Sequence, residues 1–123
     1  MLVDSHCHLN YEGLAEDIEG TVARAGEAGV GFMLSIGTRL SDFDAVLATA
    51  KAYENVACTV GIHPHESGKE PETDVETLVE LTQHPKVVGI GETGLDFFYD
   101  NSPRDAQERS FRTHIAVARE TQL

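Results

Sequence analysis

The chain has 123 residues, 41% hydrophobic and 24% charged, and its 9 Lys plus Arg against 21 Asp plus Glu give a net charge of −12 with His neutral. Such a length predicts one domain, and the composition is that of a folded globular protein, which excludes disordered and collagen-like chains. The N-terminus carries no basic region before a long apolar one, and no apolar run approaches the roughly 18 residues that span a bilayer, so we expect a cytosolic protein.

Two strand-and-helix units come first along the chain. Residues 2–8 are predicted to form a strand, followed by apolar residues at helical spacing up to Gly29, a residue type that commonly follows a helix end. The apolar run over residues 30–36 predicts a second strand, buried on both faces. Ser41 then has the side chain and the position of a helix cap.

A third unit has the same order. A strand is predicted over residues 56–62, and a polar loop separates it from a helix that begins at Thr73. Thr73 and Glu76 have the spacing of a capping box, which would satisfy two free backbone N–H groups at the start of this helix.

The fourth unit completes the pattern with a strand over residues 87–91 and a helix that begins at Ser102 and Pro103. The apolar residues expected on one face of that helix are Phe111, Ile115 and Ala118. Strands thus start about 30 residues apart, as in successive βα units. This alternation predicts an α/β fold with a parallel sheet, either a small open sheet or half of an eight-stranded barrel.

Two histidines end the first predicted strand. Alternation on a strand points His6 and His8 to one face and Cys7 to the other, where Cys7 would pack against the helices. Two neighbouring imidazoles make half of a site for Zn²⁺, Mn²⁺ or a similar ion. Cys7 and Cys58 form no CxxC pair, so both are interpreted as small buried residues rather than a disulfide.

Glu92 follows the fourth strand among glycines. A carboxylate at a strand end can bridge two cations about 3.5–4 Å apart, although a solvated loop glutamate is the alternative. Residues 89–94 also fit GxGxxG, the dinucleotide fingerprint, which must open a helix directly. Residues 95–101 separate these glycines from the next helix start, so that interpretation fails.

Other polar side chains are expected at the same edge of the sheet, where sites form in parallel α/β folds. His63 and His65 follow the third strand and would either contact a substrate phosphate or hydrogen-bond the metal ligands. Asp96 would orient a ligand or cap its loop. The aromatic run over residues 97–99 would stack on a nucleobase or pack in the core, and His114 is interpreted as a packing residue on the last helix.

At these residues the sequence resembles the TatD family of metal-dependent deoxyribonucleases. The segments concerned are DSHCHL at 4–9, GIHPH at 61–65 and GIGETGLDFFYD at 89–100, and the helix pattern Gln107, Phe111, His114 and Ala118 is similar as well. The resemblance implies a TIM barrel with a divalent metal site at the carboxyl ends of the strands. It also implies that His6 and His8 are metal ligands and that Glu92 is the bridging, catalytic carboxylate.

The chain differs from this family in length. Members are about twice as long, and their later strands supply two more histidines and an aspartate to the metals. We therefore expect residues 1–123 to be the N-terminal half of a TatD-like TIM barrel, with four of its eight βα units. Alternatively, two half-barrels pair as a homodimer through their exposed edge strands.

The resemblance implies hydrolysis of phosphodiester bonds in DNA by metal-activated water, with DNA ends as substrate and two divalent ions, Mg²⁺, Mn²⁺ or Zn²⁺, as cofactors. Metal ions would neutralise phosphate locally, which a chain of net charge −12 needs because it has few basic residues for a polyanion. One alternative is an amidohydrolase relative that cleaves amide or ester bonds with the same HxH strand. Another is a metal-binding fragment without catalytic activity.

Overall fold

Four parallel strands form one sheet in the order β1–β2–β3–β4, as the alternation of strands and helices predicts. The computed structural model describes residues 1–123. The strands are β1 (Leu2–Cys7), β2 (Val30–Ser35), β3 (Val56–Val60) and β4 (Val87–Ile90), and the helices are α1 (Ile18–Glu27), α2 (Phe43–Ala52), α3 (Val75–Leu81) and α4 (Arg104–Thr121). Short 3₁₀ turns cover Ala15–Asp17, Leu40–Asp42 and Pro64–Glu66.

The strand order identifies the sheet as one of the barrel type. Parallel connections are right-handed, so strands that advance in one direction place all their helices on the same face. A doubly wound sheet would reverse its order, and this one does not. The carboxyl ends of all four strands therefore meet at one edge, on which the loops with the histidines and Glu92 lie.

The two outer strands each pair on one side only. In β1 the side chains from Leu2 to His6 are exposed, and Val88 of β4 is also exposed. By contrast, all five residues of β3 are buried. The sequence predicted burial on both faces for residues 30–36, but β2 is only partly buried because it lies next to the exposed edge strand β1. Complete burial is found instead in β3.

One hydrophobic core lies between the sheet and its helices. Its buried residues include Met33, Phe43, Val56, Leu78 and Val117. None of the helices combines the length and the apolar composition needed to cross a lipid bilayer.

Both cysteines are free and serve this core as small apolar residues, as predicted. Cys58 is fully buried in it and Cys7 packs against it. Burial raises the pKa of each thiol to about 11, so neither carries a thiolate near neutral pH.

The predicted start of α2 is wrong in detail. Ser41 lies in the turn before the helix, and its hydroxyl donates to Glu70 Oε1 at 2.7 Å instead of capping. The prediction for α1 is confirmed: this helix ends at Glu27, and Gly29 follows with φ of +89°, a conformation that suits glycine.

The predicted caps of α3 and α4 are also wrong. Asp74, not Thr73, caps α3, and its Oδ1 accepts a hydrogen bond from Thr77 N at 2.8 Å. At α4 the capping position belongs to Pro103, while the Ser102 hydroxyl donates to His65 O at 2.7 Å. In both helices the serine or threonine has the spacing of a cap but does not act as one. At α3 the Asp74 carboxylate accepts the N-terminal hydrogen bond, and at α4 the Ser102 hydroxyl donates to a distant carbonyl.

The buried face of α4 differs from the predicted one. Gln107, His114 and Val117 face the core, whereas Ile115 is exposed and Phe111 is only partly buried. The polar side chains can lie inside because backbone groups of neighbouring loops satisfy their hydrogen bonds.

Candidate metal centre

Three side chains from the two outer strands converge at the carboxyl edge of the sheet. One potential ligand atom from each of His6, His8 and Glu92 lies within 4.8 Å of the others. His6 is the penultimate residue of β1, His8 follows that strand, and Glu92 lies two residues after β4. The sequence-predicted metal residues are thus brought together although the two strands are at opposite edges of the sheet.

His6 and His8 face the same carboxylate oxygen. His6 Nε2 lies 3.3 Å from Glu92 Oε2 and His8 Nε2 lies 3.9 Å from it. Their ring centroids are 5.1 Å apart, as expected for residues i and i+2 on one face of a strand. The His6 side chain is 53% exposed and that of His8 is 24% exposed, so the site is open to solvent mainly on the His6 side.

His8 is held in one orientation from two sides. Its Nδ1 lies 3.2 Å from Ile36 O, and because a carbonyl only accepts, Nδ1 carries the proton in the neutral ring. This leaves the lone pair on Nε2, the atom that faces Glu92. Tyr11 stacks on the imidazole at 4.4 Å between centroids and 10° between planes, and its hydroxyl lies 3.1 Å from Thr38 Oγ1.

Glu92 is positioned through the backbone of β4. Its N–H donates to Gly37 O at 2.6 Å, which ties the residue to the end of β2. The Thr59 hydroxyl donates to Gly91 O at 2.6 Å and accepts from Gly37 N at 3.1 Å. A Cβ atom on Gly61 would lie 2.6 Å from the carbonyl carbon of Gly91, so only glycine allows the chain after β3 to approach so closely.

His63 faces the other oxygen of the same carboxylate. Its Nε2 lies 3.4 Å from Glu92 Oε1, and its Nδ1 accepts a hydrogen bond from His65 N at 3.0 Å. The neutral ring therefore carries its proton on Nε2, which makes that atom a donor towards Glu92 or a bound oxygen rather than a metal ligand. Burial lowers the pKa of the His63 imidazole, and the Glu92 carboxylate opposes this shift in part.

His65 faces away from Glu92 and towards Asp96. Its Nε2 lies 2.5 Å from Asp96 Oδ2. The other oxygen, Asp96 Oδ1, accepts hydrogen bonds from the backbone N–H groups of Phe98 and Tyr99. The bond from Tyr99 N and the contact with His65 lower the pKa of the Asp96 carboxyl group. Asp96 thus caps its own loop, which is one of the two roles that the sequence left open, and the histidine that it contacts is not one of the three candidate metal ligands.

Three supporting residues were not assigned a role from the sequence: Tyr11, Thr59 and Gln107. Gln107 is fully buried, and its side chain contacts both backbone groups of Asp96 and the carbonyl of Ser102. His114 lies on the same helix face, with Nε2 accepting from Ile62 N at 3.0 Å and Nδ1 next to Ser110 O at 2.7 Å. A pair of polar residues seven apart in a helix signals such a face, because positions i and i+7 point the same way.

The donor set fits a divalent ion. Two imidazoles and one carboxylate are the ligands of several catalytic zinc sites, which keep a further position open for water or substrate. Ligand atoms about 2.1 Å from a tetrahedral ion stand about 3.4 Å apart, close to the 3.3 and 3.9 Å that separate the imidazole nitrogens from Glu92 Oε2. The same atoms could also hold Mn²⁺ or Mg²⁺, with carboxylate and water as the preferred oxygen ligands.

A comparison with protein families matches residues 3–123 to the model for TatD related DNase. The chain is 36% identical over 123 residues to the uncharacterized metal-dependent hydrolase YabD of Bacillus subtilis, covering all of this chain and 48% of that protein. It is 35% identical over 122 residues to the 3'-5' ssDNA/RNA exonuclease TatD of Salmonella typhimurium, and the match covers 99% of this chain and 47% of that protein. The chain therefore spans about half the length of the curated relatives it matches.

Solved structures give the same result for the fold. The crystal structure of YJJV, a TatD homologue from Escherichia coli, superposes with a TM-score of 0.86 at 29% identity and covers 99% of this chain and 48% of its own. A TatD family hydrolase from Entamoeba histolytica superposes with a TM-score of 0.81 at 26% identity, covering 98% and 46%.

Proposed function

Because the chain belongs to the TatD related DNase family, whose members include metal-dependent hydrolases, we propose that His6, His8 and Glu92 bind divalent metal for hydrolysis of phosphodiester bonds in DNA. The observation that carries this proposal is the shared carboxylate: Glu92 presents one oxygen to both His6 and His8. Its second oxygen faces His63. Because a carboxylate at a strand end can bridge two neighbouring cations through its two oxygens, we propose two divalent ions here, Mg²⁺, Mn²⁺ or Zn²⁺.

Divalent ions bound here would polarise a phosphoryl oxygen and lower the pKa of a bound water. The chain's own residues supply the remaining requirements. His8 keeps its Nε2 lone pair because Nδ1–H donates a hydrogen bond to Ile36 O, and Glu92 is fixed because its N–H donates to Gly37 O. His63 presents an Nε2 proton that can bind a phosphate oxygen, and we propose it as a substrate-binding residue. We propose the same role for His65 because its ring lies 4.4 Å from that of His63.

The substrate proposed is the end of a single strand of DNA. Support comes from the Salmonella typhimurium relative, which is named as a 3'-5' exonuclease of single-stranded DNA and RNA. The net charge of −12 agrees with a small footprint, because a long duplex would need a basic surface that this composition does not provide. Charge neutralisation by the metal ions at one phosphate is sufficient for a strand end.

The decisive experiment measures hydrolysis of a short labelled single-stranded DNA by the 123-residue chain with Mg²⁺ or Mn²⁺ and with chelator. We expect chelator-sensitive cleavage that falls at least about a hundredfold in Glu92→Gln and in His8→Ala, because each removes a proposed metal ligand. Glu80→Gln, an exposed glutamate on α3, is the matched control and should keep the activity.

Three outcomes are informative when the assay is repeated with RNA and metal binding is measured beside it. Cleavage of RNA instead of DNA would overturn the choice of nucleic acid and retain the hydrolase. Metal binding without cleavage of any phosphodiester would overturn hydrolysis by this chain and favour a metal-binding role. Activity unchanged in Glu92→Gln would reject the proposed site.

A further inference from the structure

An aromatic pair stands exposed beside the candidate metal centre. Phe98 is 87% exposed and Tyr99 is 66% exposed, and both lie in the loop that connects β4 to α4. Single exposed apolar residues are ordinary on protein surfaces, but two adjacent rings at the edge where the functional residues gather are a concentrated apolar surface. None of the roles assigned so far to Glu92, His63 or His65 uses these rings.

The backbone that carries the two rings is fixed. Asp96 Oδ1 accepts from Phe98 N at 3.0 Å and from Tyr99 N at 3.1 Å. Gln107, which is fully buried, holds both backbone groups of Asp96. A ligand that contacts the rings therefore meets a preorganised surface and orders little of the loop on binding.

Phe98 is the ring with a free face. Phe97, the preceding residue, is 38% exposed and has the Arg104 guanidinium 4.6 Å from its ring centroid, so one of its faces is already covered. Tyr99 contacts Phe98 in a T-shaped arrangement with centroids 4.9 Å apart. The edge-to-face contact supports Phe98 and leaves most of its surface exposed to solvent.

A chain of ring contacts connects this pair to the metal site. Tyr99 lies 5.7 Å from the ring of His65, and His65 lies 4.4 Å from the ring of His63. His63 Nε2 is 3.4 Å from Glu92 Oε1. These contacts join the aromatic pair to Glu92 through two histidine rings, so a strand bound at Glu92 could bring a neighbouring nucleotide to the pair.

Local charge opposes a phosphate-binding role for the same loop. Asp96 and Asp100 lie within it, and the Nε of the neighbouring Arg104 lies 3.3 Å from Asp100 Oδ1, so this cation is already paired. Affinity for a nucleic acid here must come from the bases and not from the backbone. Base stacking on aromatic side chains serves this purpose because every base has a π-face, whereas duplex bases are already stacked and paired.

We propose that Phe98, supported by Tyr99, is a stacking platform for one base of a single-stranded nucleic acid whose phosphate lies at the metal site. This inference rests on the proposed function, because the occupant of the platform is the substrate of that site. It adds the part of the strand that is recognised, and it predicts selection of unpaired over paired strands.

The chain contains no tryptophan, which provides a direct test by fluorescence. In Phe98→Trp the new indole is the sole tryptophan, and a stacked base should quench it. Titration in Mg²⁺ with a short oligothymidylate whose phosphorothioate linkages resist cleavage should quench Phe98→Trp, while an abasic strand with the same linkages should not. The matched control is Ala52→Trp. Ala52 is exposed at the end of α2, near the amino ends of the strands, and its tryptophan should respond to neither oligonucleotide.

Affinity and kinetics of two further variants complete the test. Phe98→Ala should bind the single strand about fivefold to a hundredfold more weakly, and Phe98→Tyr should bind like the parent, because the loss measured is that of one base stack. Cleavage of the single strand by Phe98→Ala should show a raised KM. Added duplex should inhibit this cleavage at least as well in Phe98→Ala as in the parent, because a duplex makes no stack with Phe98.

Failure of this inference is distinct from failure of the proposed function. Metal-dependent cleavage with equal binding by Phe98→Ala and the parent would overturn the platform and leave the hydrolase intact. Base-dependent quenching of Phe98→Trp without cleavage would support the platform and overturn hydrolysis by this chain. Equal quenching by the oligothymidylate and the abasic strand would overturn stacking, since phosphate contact would then explain the signal.

Discussion

Gln107 holds both backbone groups of Asp96, with Oε1 accepting from Asp96 N at 2.7 Å and Nε2 donating to Asp96 O at 3.0 Å. Asp96 in turn contacts His65 and caps the turn at Phe98. A single side chain of α4 thus sets the loop next to the metal site.

Replacing Gln107 by Leu should lower the free energy of unfolding by about 2–4 kcal/mol, because backbone groups of Asp96 and Ser102 would lose their partners in a buried place. Urea unfolding measures the change. The neighbouring exposed residue gives the control, since Glu108→Gln should leave the stability within about 0.5 kcal/mol of the parent. Equal stabilities of Gln107→Leu and Glu108→Gln would contradict the role assigned to Gln107.

Tyr11 should contribute to metal affinity through His8 without touching the ion. Its ring stacks on the His8 imidazole, so Tyr11→Ala should weaken Mn²⁺ binding about twofold to tenfold by calorimetry, the loss expected for an aromatic pair. Tyr11→Phe keeps the ring and loses only the contact with Thr38, so it should bind nearly as well as the parent. An affinity in Tyr11→Phe as low as in Tyr11→Ala would show that the hydroxyl matters and not the stack.

Divalent metal should stabilise the chain against heat. An ion that binds only the folded state adds about 2.7 kcal/mol at a free concentration of one hundred times Kd, which raises Tm by roughly 10 °C for a domain of this size. The increase should disappear in a His6→Ala, His8→Ala double variant and persist in Glu80→Gln. An increase that survives in the double variant would place the ion among surface carboxylates instead.

His114 should make stability depend on pH. Burial lowers the pKa of its imidazole, while the hydrogen bond to Ser110 O opposes this in part. The unfolded chain therefore binds a proton at a higher pH than the folded one, so this contribution is complete above about pH 6.5 and decreases as the pH falls towards the folded pKa. The loss amounts to about 1.4 kcal/mol for each unit between the two pKa values.

The measurement is urea unfolding at pH 7.5 and pH 5.5 for the parent and His114→Gln. The parent should lose more stability between the two pH values than the variant, because the two proteins differ only in the buried imidazole. A parent that loses no more than His114→Gln would show that the buried ring is not the cause.

Two chains are proposed to pair through the free edges of β1 and β4, which would leave no edge strand unpaired. Analytical ultracentrifugation should then give twice the 13.4 kDa of one chain. Since each chain carries a net charge of −12, the dimer should strengthen as salt rises and screens repulsion. A mass of one chain at all salt concentrations would reject pairing.

The sequence was sufficient to predict the architecture and the convergence of His6, His8 and Glu92. Strand and helix periods are properties of the local backbone, so the four βα units and the shared face of His6 and His8 follow from spacing alone. Their meeting with Glu92 follows from the parallel sheet, which brings the carboxyl ends of all strands to one edge.

The sequence was not sufficient where a side chain has several possible partners. Ser41, Thr73 and Ser102 all have the chemistry of caps, and each is displaced by a competing contact: Ser41 bonds Glu70, Ser102 bonds His65 O, and Asp74 takes the place of Thr73. In such cases a local hydrogen bond competes with another of similar strength, and the sequence pattern does not show which one forms.

The local pattern of this chain by itself determined its strands, its helices and the residue types at the candidate metal centre. Only the tertiary structure decided that His63 faces Glu92 while His65 faces Asp96, that Tyr11 stacks on His8, and which face of α4 is buried. The physical reason is that periodicity depends on neighbours along the chain, whereas contacts between loops depend on segments brought together from far apart in sequence.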